Sequence, residues 1–271
     1  MDTIIEPTKY QVSTMTCNAS LNININLSVF FNNLNISNNT FVWCDFPLMK
    51  QIKGTYPTFK KKKKKVILED GKEPTKFENQ VTILYLLGNN YCPNIKVFKN
   101  GNLHMTGIKK IEDGMRVINI VADEIKRIHE IDNSIADISN IRPGDFIIRM
   151  INSDFAFPYK IKRKSLHQLL ISEKYNNKCS FEPLTYPGVK LQFFWKNGSQ
   201  RDGVCVCDKE CFGKGVANQC KKVTVAIFDS GSTLITGANS FEQLEVAYQY
   251  ICRVVKENES LLKKTITINE N

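Results

Sequence analysis

The sequence predicts an α+β fold made of two related halves, each an antiparallel sheet with helices packed on one face. Two copies of one phrase recur at a constant spacing: Phe98-Lys-Asn-Gly101 with Thr106-Gly107, and Phe228-Asp-Ser-Gly231 with Thr236-Gly237. A long stretch with apolar residues at helical spacing follows each copy. An internal match at fixed spacing indicates a duplicated domain with a pseudo-two-fold axis. The alternative is a chance match between two strand-turn-strand-helix units, since glycine is common in turns.

In the first half, the sequence predicts five strands and two helices. Apolar alternation favours strands at 11–17, 42–46, 80–87, 94–98 and 102–106. Apolar residues at helical spacing favour a helix over 21–34 and an amphipathic helix after Gly107 that ends near Ile131. The Lys-, Gly- and Pro-rich stretch 51–76 is predicted to be an insertion loop. The turn at Asn100-Gly101 joins two strands because both residues accept positive φ.

The second half repeats this order. Strands are predicted at 146–155, 189–195, 223–228 and 233–236, and helices at 164–175 and 241–257. A Cys-rich insertion occupies about 197–221, and a polar tail covers 259–271. A run of antiparallel strands with helices on one face leaves the other face open for function.

Composition narrows the class of partner. The chain has 271 residues, 42% of them hydrophobic, which is enough for a folded core. No signal peptide is visible and no apolar run approaches membrane-spanning length, so we expect a protein that is neither secreted nor membrane-spanning. The net charge of +10 favours a polyanionic partner, with nucleic acid ahead of anionic membrane. The Lys60–Lys65 run is either a solvated loop without a ligand or a flexible arm that contacts DNA phosphates.

Nine cysteines in an intracellular chain indicate thiols or a metal site. Cys205, Cys207, Cys211 and Cys220 offer the four thiolates that one tetrahedral zinc ion requires. The alternatives are surface thiols or a pair of disulfides. Metal binding would order this polar insertion, which would then serve as a partner-docking element or an extra phosphate contact.

Catalysis is not indicated by the sequence. His104, His129 and His167 fit no metalloprotease spacing, and Gly213-Lys-Gly215 is too short to cradle phosphate. No nucleophile, base and orienting group can be recognised, so we expect a protein that is not an enzyme.

Several phrases resemble the TATA-box-binding protein family. They are Ala226-Ile-Phe-Asp-Ser-Gly-Ser-Thr-Leu-Ile-Thr-Gly-Ala238, Phe181-Glu-Pro-Leu-Thr-Tyr-Pro-Gly188, Asp154-Phe-Ala-Phe-Pro158 and Val12-Ser-Thr14. The resemblance covers two repeats, 9–131 and 142–257, and is stronger in the second. The insertions and the Asn/Lys-rich composition resemble the divergent members of this family in large and giant DNA viruses.

The resemblance implies a saddle in which ten strands form one curved sheet with four helices on its convex side. The concave side would lie on the DNA minor groove, where aromatic side chains enter base steps as wedges and bend the duplex. The corresponding wedge pairs are Phe77 with Phe98, and Tyr186 with Phe228.

The floor of the groove would meet mostly small or apolar side chains. The resemblance places there Val12, His104, Lys96 and Thr106 in one half, and Met150, Leu234 and Thr236 in the other. His104 replaces a family Val, and Lys96 replaces a Leu. Tyr10 and Ile148 stand where the family has two Asn residues that hydrogen-bond the central base pairs. Minor-groove binding therefore remains expected, whereas a preference for the TATA sequence is weakened.

The leading hypothesis is a transcription initiation factor that binds A·T-rich double-stranded promoter DNA and bends it. Its convex face would recruit a TFIIB-like factor and the RNA polymerase machinery. The expected location is a reducing intracellular compartment, either the nucleus or a cytoplasmic viral factory. One alternative is an interaction scaffold that has lost specific DNA binding. Another is a substrate-binding module of a nucleic-acid enzyme, which the lack of an attached catalytic segment disfavours.

Overall fold

The computed structural model describes residues 6–60, 77–199, 203–216 and 218–264, and it divides into two compact units. The first unit is Met15–Ile148, and the second is Met1–Thr14 together with Arg149–Asn271. Each described pairing between strands is antiparallel. The predicted α+β class is therefore confirmed.

The sheet of the first unit has the strand order β3-β2-β4-β5-β6-β1. The strands are β1 (Gln11–Ser20, of which the part from Met15 belongs here), β2 (Phe41–Phe46), β3 (Gln51–Gly54), β4 (Gln80–Tyr85), β5 (Asn94–Phe98) and β6 (Asn102–Ile108). The helices are α1 (Leu27–Asn33), α2 (Ile111–Ile131) and two 3-10 turns, Pro47–Met49 and Asn133–Ile135. α2 packs on β6, and α1 packs on β4.

The long helix of this unit forms where the apolar periodicity predicts it. Its buried side chains recur at helical spacing: Val117, Ile118, Val121, Ala122, Ile125 and Ile128. Burial of each valine or isoleucine side chain in this set stabilises the folded state by about 1.5–3 kcal/mol. Glu112 and Asp113 lie in the first turn, where negative charge is favourable to the helix dipole.

The second unit has the strand order β7-β11-β10-β9-β8. Its strands are β7 (Ile147–Ala156, from Arg149), β8 (Lys178–Ser180), β9 (Val189–Trp195), β10 (Lys221–Ile227) and β11 (Ser232–Ala238). Its helices are α3 (Arg163–Ile171), α4 (Phe241–Glu257) and α5 (Glu259–Leu262). α4 packs on β9, β10 and β11, and its first turn is capped by Ser240, whose hydroxyl accepts from Gln243 N at 3.2 Å. None of the helices in the described ranges is long and apolar enough to cross a bilayer.

The predicted count of ten strands and four helices is wrong: the described residues contain eleven strands and five α-helices. β8 (Lys178–Ser180) lies outside the strands that were predicted individually. The strand beyond the count of ten is β3, at the start of the stretch 51–76 that was predicted to be a loop. It forms because Lys50 adopts a left-handed conformation (φ 53°) that turns the chain back along β2. The remainder of that stretch, 61–76, lies outside the described residues.

Two further predictions are wrong in part. The helix predicted over 21–34 begins only at Leu27, because β1 continues to Ser20 and the Asn26 side chain caps the helix by accepting from Ser28 N and Val29 N. The predicted polar tail 259–271 begins with α5, whose Leu262 is fully buried. Tail residues 265–271 lie outside the described residues. The repeat bounds 9–131 and 142–257 stay a prediction.

Candidate nucleic-acid interface

Each unit has a sheet face that is buried under helices and an opposite, open face. In β5 and β6 of the first unit, Ile95, Val97, Leu103 and Met105 are buried. The alternating residues therefore point to the open face. Lys96 and His104 face each other across β5 and β6, and Asn18 faces His104 across β1 and β6. The polar side chains of Lys96, His104 and Asn18 thus form one row across β5, β6 and β1. Lys96 and His104 were predicted to lie on this face, and Asn18 is their neighbour.

The His104 ring in this row is fixed by a hydrogen bond. Its Nδ1 lies 2.8 Å from Oδ1 of Asn18. Because an amide oxygen only accepts, Nδ1 carries the hydrogen. Burial lowers the pKa of His104, and the nearby Lys96 charge lowers it further. The imidazole is therefore held neutral at physiological pH.

Thr106 lies on the same open face, opposite Thr16 and Asn94. Val12, which was predicted to lie with Thr106 and His104 in one half, groups with the second unit instead. The reason is that the boundary between the units crosses β1 after Thr14.

The open face of the second unit carries the other predicted floor residues. Met150, Leu234 and Thr236 are half-buried and alternate with buried residues of β7 and β11. Leu234 faces Asp154, and Thr236 faces Asn152. The Asp154 carboxylate is exposed and accepts a hydrogen bond from the Ser13 hydroxyl.

Residue-by-residue comparison with the family missed Asn18, Asn152 and Asp154 as members of the open faces. Asn18 sits beside His104, and Asn152 sits beside Thr236. The signal for Asn18 was the alternation of polar Thr16, Asn18 and Ser20 with buried residues in β1. Asn18 in the first unit and Asn152 in the second are therefore amide side chains beside predicted floor residues that sequence reasoning had not selected.

The four aromatic residues predicted as wedges lie in two pairs, one in each unit. The first aromatic pair is Phe77 and Phe98, whose ring centroids are 6.4 Å apart with an interplanar angle of 71°. The second is Tyr186 and Phe228, at 5.7 Å and 52°. Phe77 is 62% exposed. The structure therefore brings together the partners that the sequence had paired.

Equivalent glycine turns follow Phe98 and Phe228. Gly101 N donates to Phe98 O, and Gly231 N donates to Phe228 O, both at 3.0 Å. Both glycines have positive φ, 75° and 88°. A Cβ at Gly231 would lie 2.5 Å from Tyr159 O. Glycine is thus required where the chain reverses after each pair.

The predicted metal ligands Cys205, Cys207, Cys211 and Cys220 converge, with their sulfur atoms all within 4.8 Å of one another. Cys207 Sγ lies 3.4 Å from Cys220 Sγ and accepts from Cys220 N at 3.3 Å. That amide lowers the pKa of Cys207 to about 7, whereas burial raises the pKa of Cys220 to about 12. Four sulfurs around a tetrahedral zinc ion would be roughly 3.8 Å apart. The donor set can therefore hold a metal ion.

The Lys60–Lys65 run was predicted to be solvated, and its first residue departs from that prediction. Lys60 is not fully solvated: its ammonium donates to the carbonyl of Cys92, and burial lowers its pKa. Residues 61–65 of the run lie outside the described residues.

Comparison with known proteins finds similarity to the TATA-binding protein family in sequence and in fold. Residues 146–258 match the family described as "Transcription factor TFIID (or TATA-binding protein, TBP)". Over 258 residues the chain is 32% identical to a "TATA-box-binding protein-like" protein of Acanthamoeba polyphaga mimivirus, a match that covers 90% of this chain and 64% of that relative. The structure is similar to Methanococcus jannaschii TBP, with a TM-score of 0.51 and 17% identity, over 92% of this chain and 99% of that one.

These comparisons confirm the resemblance to the TATA-binding protein family and to a giant-virus relative. They also confirm the TATA-binding-protein-like α+β fold. The family match falls within the second half, as the stronger motifs there predicted. The chain spans 64% of the length of the viral relative.

Proposed function

We propose that this chain is a TATA-binding-protein-like transcription initiation factor that binds promoter DNA from the minor-groove side and bends it. The observation that carries the proposal is the aromatic pair present at the same place in each unit, just before a glycine turn. Two flat rings at a sheet edge are suited to enter a base step, where unstacking costs a few kcal/mol. The match to a family of transcription factors supports this assignment.

The open faces suit a groove that offers mainly acceptors. Thr106, Thr236 and Leu234 present hydroxyl and apolar groups, which fit A·T pairs. Val12 and Met150 are proposed to contribute further apolar contacts. Lys96 and His104 add polar groups that such a floor does not need. We therefore propose a preference for A·T-rich promoters that is shallow.

A second candidate function is a protein-interaction scaffold that has lost specific DNA binding. The observation that favours it is the exposed Asp154 carboxylate on the open face, since a negative charge there opposes approach of DNA. A scaffold would bind its protein partners normally and show neither A·T preference nor bending.

Bending of a labelled duplex separates these functions. Fluorescence transfer between dyes at the ends of an A·T-rich duplex should rise on binding. The Phe98→Ala/Phe228→Ala variant should lose this rise and keep weak, salt-sensitive binding from basic residues. Phe212→Ala is the matched control, because Phe212 is an exposed phenylalanine outside both pairs.

The result that would overturn DNA bending is an unchanged transfer signal in the double variant, with circular dichroism showing an intact fold. No transfer signal in the unaltered protein on either A·T- or G·C-rich duplexes would favour the scaffold. Binding should be measured at several salt concentrations, because the phosphate contribution depends on salt.

The partners proposed are a TFIIB-like factor and the RNA polymerase machinery, bound through the helix-bearing surfaces. α2 leaves Ile111 and Met115 more than one third exposed, which offers apolar contacts to such a partner.

This function requires no catalytic residues, so we propose that the chain is not an enzyme. Its site of action would be a reducing compartment where DNA is transcribed, the nucleus or a cytoplasmic viral factory.

We also propose that the four-cysteine cluster binds one zinc ion. The convergence of its sulfur atoms within 4.8 Å supports this assignment, and four thiolates are a common structural zinc set. The ion would order the insertion between β9 and β10, which exposes Phe212 and Val216. This surface is proposed to dock a transcription partner.

A further inference from the structure

One guanidinium contacts both loops that carry the second aromatic pair. Arg163, the first residue of α3, donates from Nη1 to the carbonyl oxygen of Pro187, which follows Tyr186. Its Nε lies 3.6 Å from Oδ1 of Asp229, which follows Phe228. The β8–β9 loop and the β10–β11 turn are therefore linked through a single side chain.

The Asp229 end of this link is itself held in place. Lys264 donates to Oδ1 of Asp229, and Asp229 O accepts from Ile161 N at 2.9 Å. The hydrogen bond from Lys264 and the charge of Arg163 lower the pKa of Asp229, so the carboxylate stays ionised. The turn that carries Phe228 is thus anchored to the start of α3 and to the end of α5.

The Tyr186 ring is packed with little spare room. The Lys190 ammonium lies 3.8 Å from its ring centroid. A Cβ at Gly188 would lie 2.8 Å from Tyr186 Cε1 and 3.2 Å from Phe228 Cε1. The Arg163 guanidinium also lies 5.4 Å from the Phe181 ring centroid at the beginning of the same loop. Small movements of either loop would therefore change the geometry of the pair.

We propose that Arg163 is a positioning residue that sets the separation and tilt of Tyr186 and Phe228 before DNA is bound. The planar guanidinium reaches a carbonyl and a carboxylate on two different loops at once, which an ammonium group cannot reproduce. A pair that is already ordered loses less conformational freedom on entering a base step. This inference rests on the proposed DNA-binding function and assigns one residue a role within it.

The test uses Arg163→Ala and Arg163→Lys in the full chain, with 2-aminopurine placed at each base step of an A·T-rich duplex. Both variants should lose most of the fluorescence rise at one step and weaken binding roughly threefold to tenfold. Lys164→Ala is the matched control: it removes one positive charge from the exposed neighbouring position of α3 and should leave unstacking unchanged. Gly188→Ala changes no charge and should disturb the same step.

A Phe228→Ala background separates positioning from direct DNA contact. If Arg163 acts through the pair, Arg163→Ala should have no further effect there. A further loss of affinity, with a smaller salt dependence, would show a phosphate contact and overturn the proposal. Unchanged unstacking in Arg163→Ala would overturn it as well.

A measurement on the free protein distinguishes failure of this inference from failure of the proposed function. Nuclear Overhauser contacts between the Tyr186 and Phe228 rings should be present in the unaltered protein and lost in Arg163→Ala, while the thermal melt remains cooperative. If Arg163→Ala retains the ring contacts, the positioning role is overturned, regardless of the results for DNA binding and bending. If the ring contacts are lost in Arg163→Ala but the unaltered protein never bends DNA, the positioning role of Arg163 stands and the proposed function is refuted.

Discussion

Nδ1 of His104 lies 2.8 Å from Oδ1 of Asn18, directly across strands β6 and β1. The bond fixes the ring on the open face of the first unit and joins two residues that stand far apart in the chain. Lys96 faces His104 from the other side, on β5. Burial and then the Lys96 charge lower the pKa of His104. A neutral histidine is therefore built into the surface proposed to meet DNA.

Stability should depend on pH through His104. Because its pKa is lower in the folded protein than in the unfolded chain, the unfolded chain binds more protons between the two pKa values. The free energy of unfolding should be highest above about pH 6.5 and fall as the pH drops through that window. Urea unfolding at about pH 5 and pH 8 should show a smaller pH effect in His104→Gln. Identical pH effects in the unaltered protein and in His104→Gln would contradict a contribution of His104 to the pH dependence of stability.

Replacing the two polar side chains of the predicted groove floor should sharpen the preference for A·T-rich DNA. Lys96→Leu/His104→Val removes the two polar side chains that face each other on β5 and β6. We expect the ratio of affinities for A·T-rich over G·C-rich duplexes to rise, by up to about 1–3 kcal/mol for each restored contact. Competition binding at fixed salt measures the ratio. A sharp TATA consensus in the unaltered protein would contradict the shallow preference.

The cysteine cluster should carry about one zinc per chain. Elemental analysis of protein purified without added metal measures the content, and Cys207→Ser/Cys211→Ser should lose it. Cys252→Ser is the control, because Cys252 lies on α4 outside the cluster. Absence of zinc, with all four thiols reacting freely in the native protein, would leave the cluster without a metal role.

Zinc removal should affect the insertion more than the sheet. A chelator should expose residues near Cys211 to proteolysis while thermal melting of the second unit remains cooperative. Point substitutions are preferable to deleting 203–221, because Lys221 begins β10 and Cys220 is fully buried. A chelator that melts the second unit would show that the ion supports the whole unit.

Gly231→Ala should destabilise the protein by about 1–3 kcal/mol or more. Gly231 has φ 88°, and a Cβ would lie 2.5 Å from Tyr159 O, so both strain and a clash oppose alanine. Gly88→Ala is the control, because nothing lies within 4 Å of its added Cβ and its φ is not positive. Urea denaturation compares the two; equal losses would refute the argument.

Much of the fold follows from the sequence because local periodicity decides it. The helix α4 and the strand β9 have the predicted bounds, Phe241–Glu257 and Val189–Trp195, since their apolar spacing leaves one way to bury them. The pairing of Phe77 with Phe98, and of Tyr186 with Phe228, followed from the repeated phrase and the family resemblance. The sequence thereby determined the class of fold, the turns and the two aromatic pairs.

Tertiary structure decided what local patterns could not encode. β3 is a short polar edge strand without apolar alternation, and it exists only because β2 offers it backbone partners. The row of Lys96, His104 and Asn18 depends on the register of three strands, and a shift of one residue would place these side chains on the buried face. Arg163 contacts Pro187 and Asp229 only after two loops distant in the chain meet. Such contacts arise from packing between elements, and spacing along one element does not reveal them.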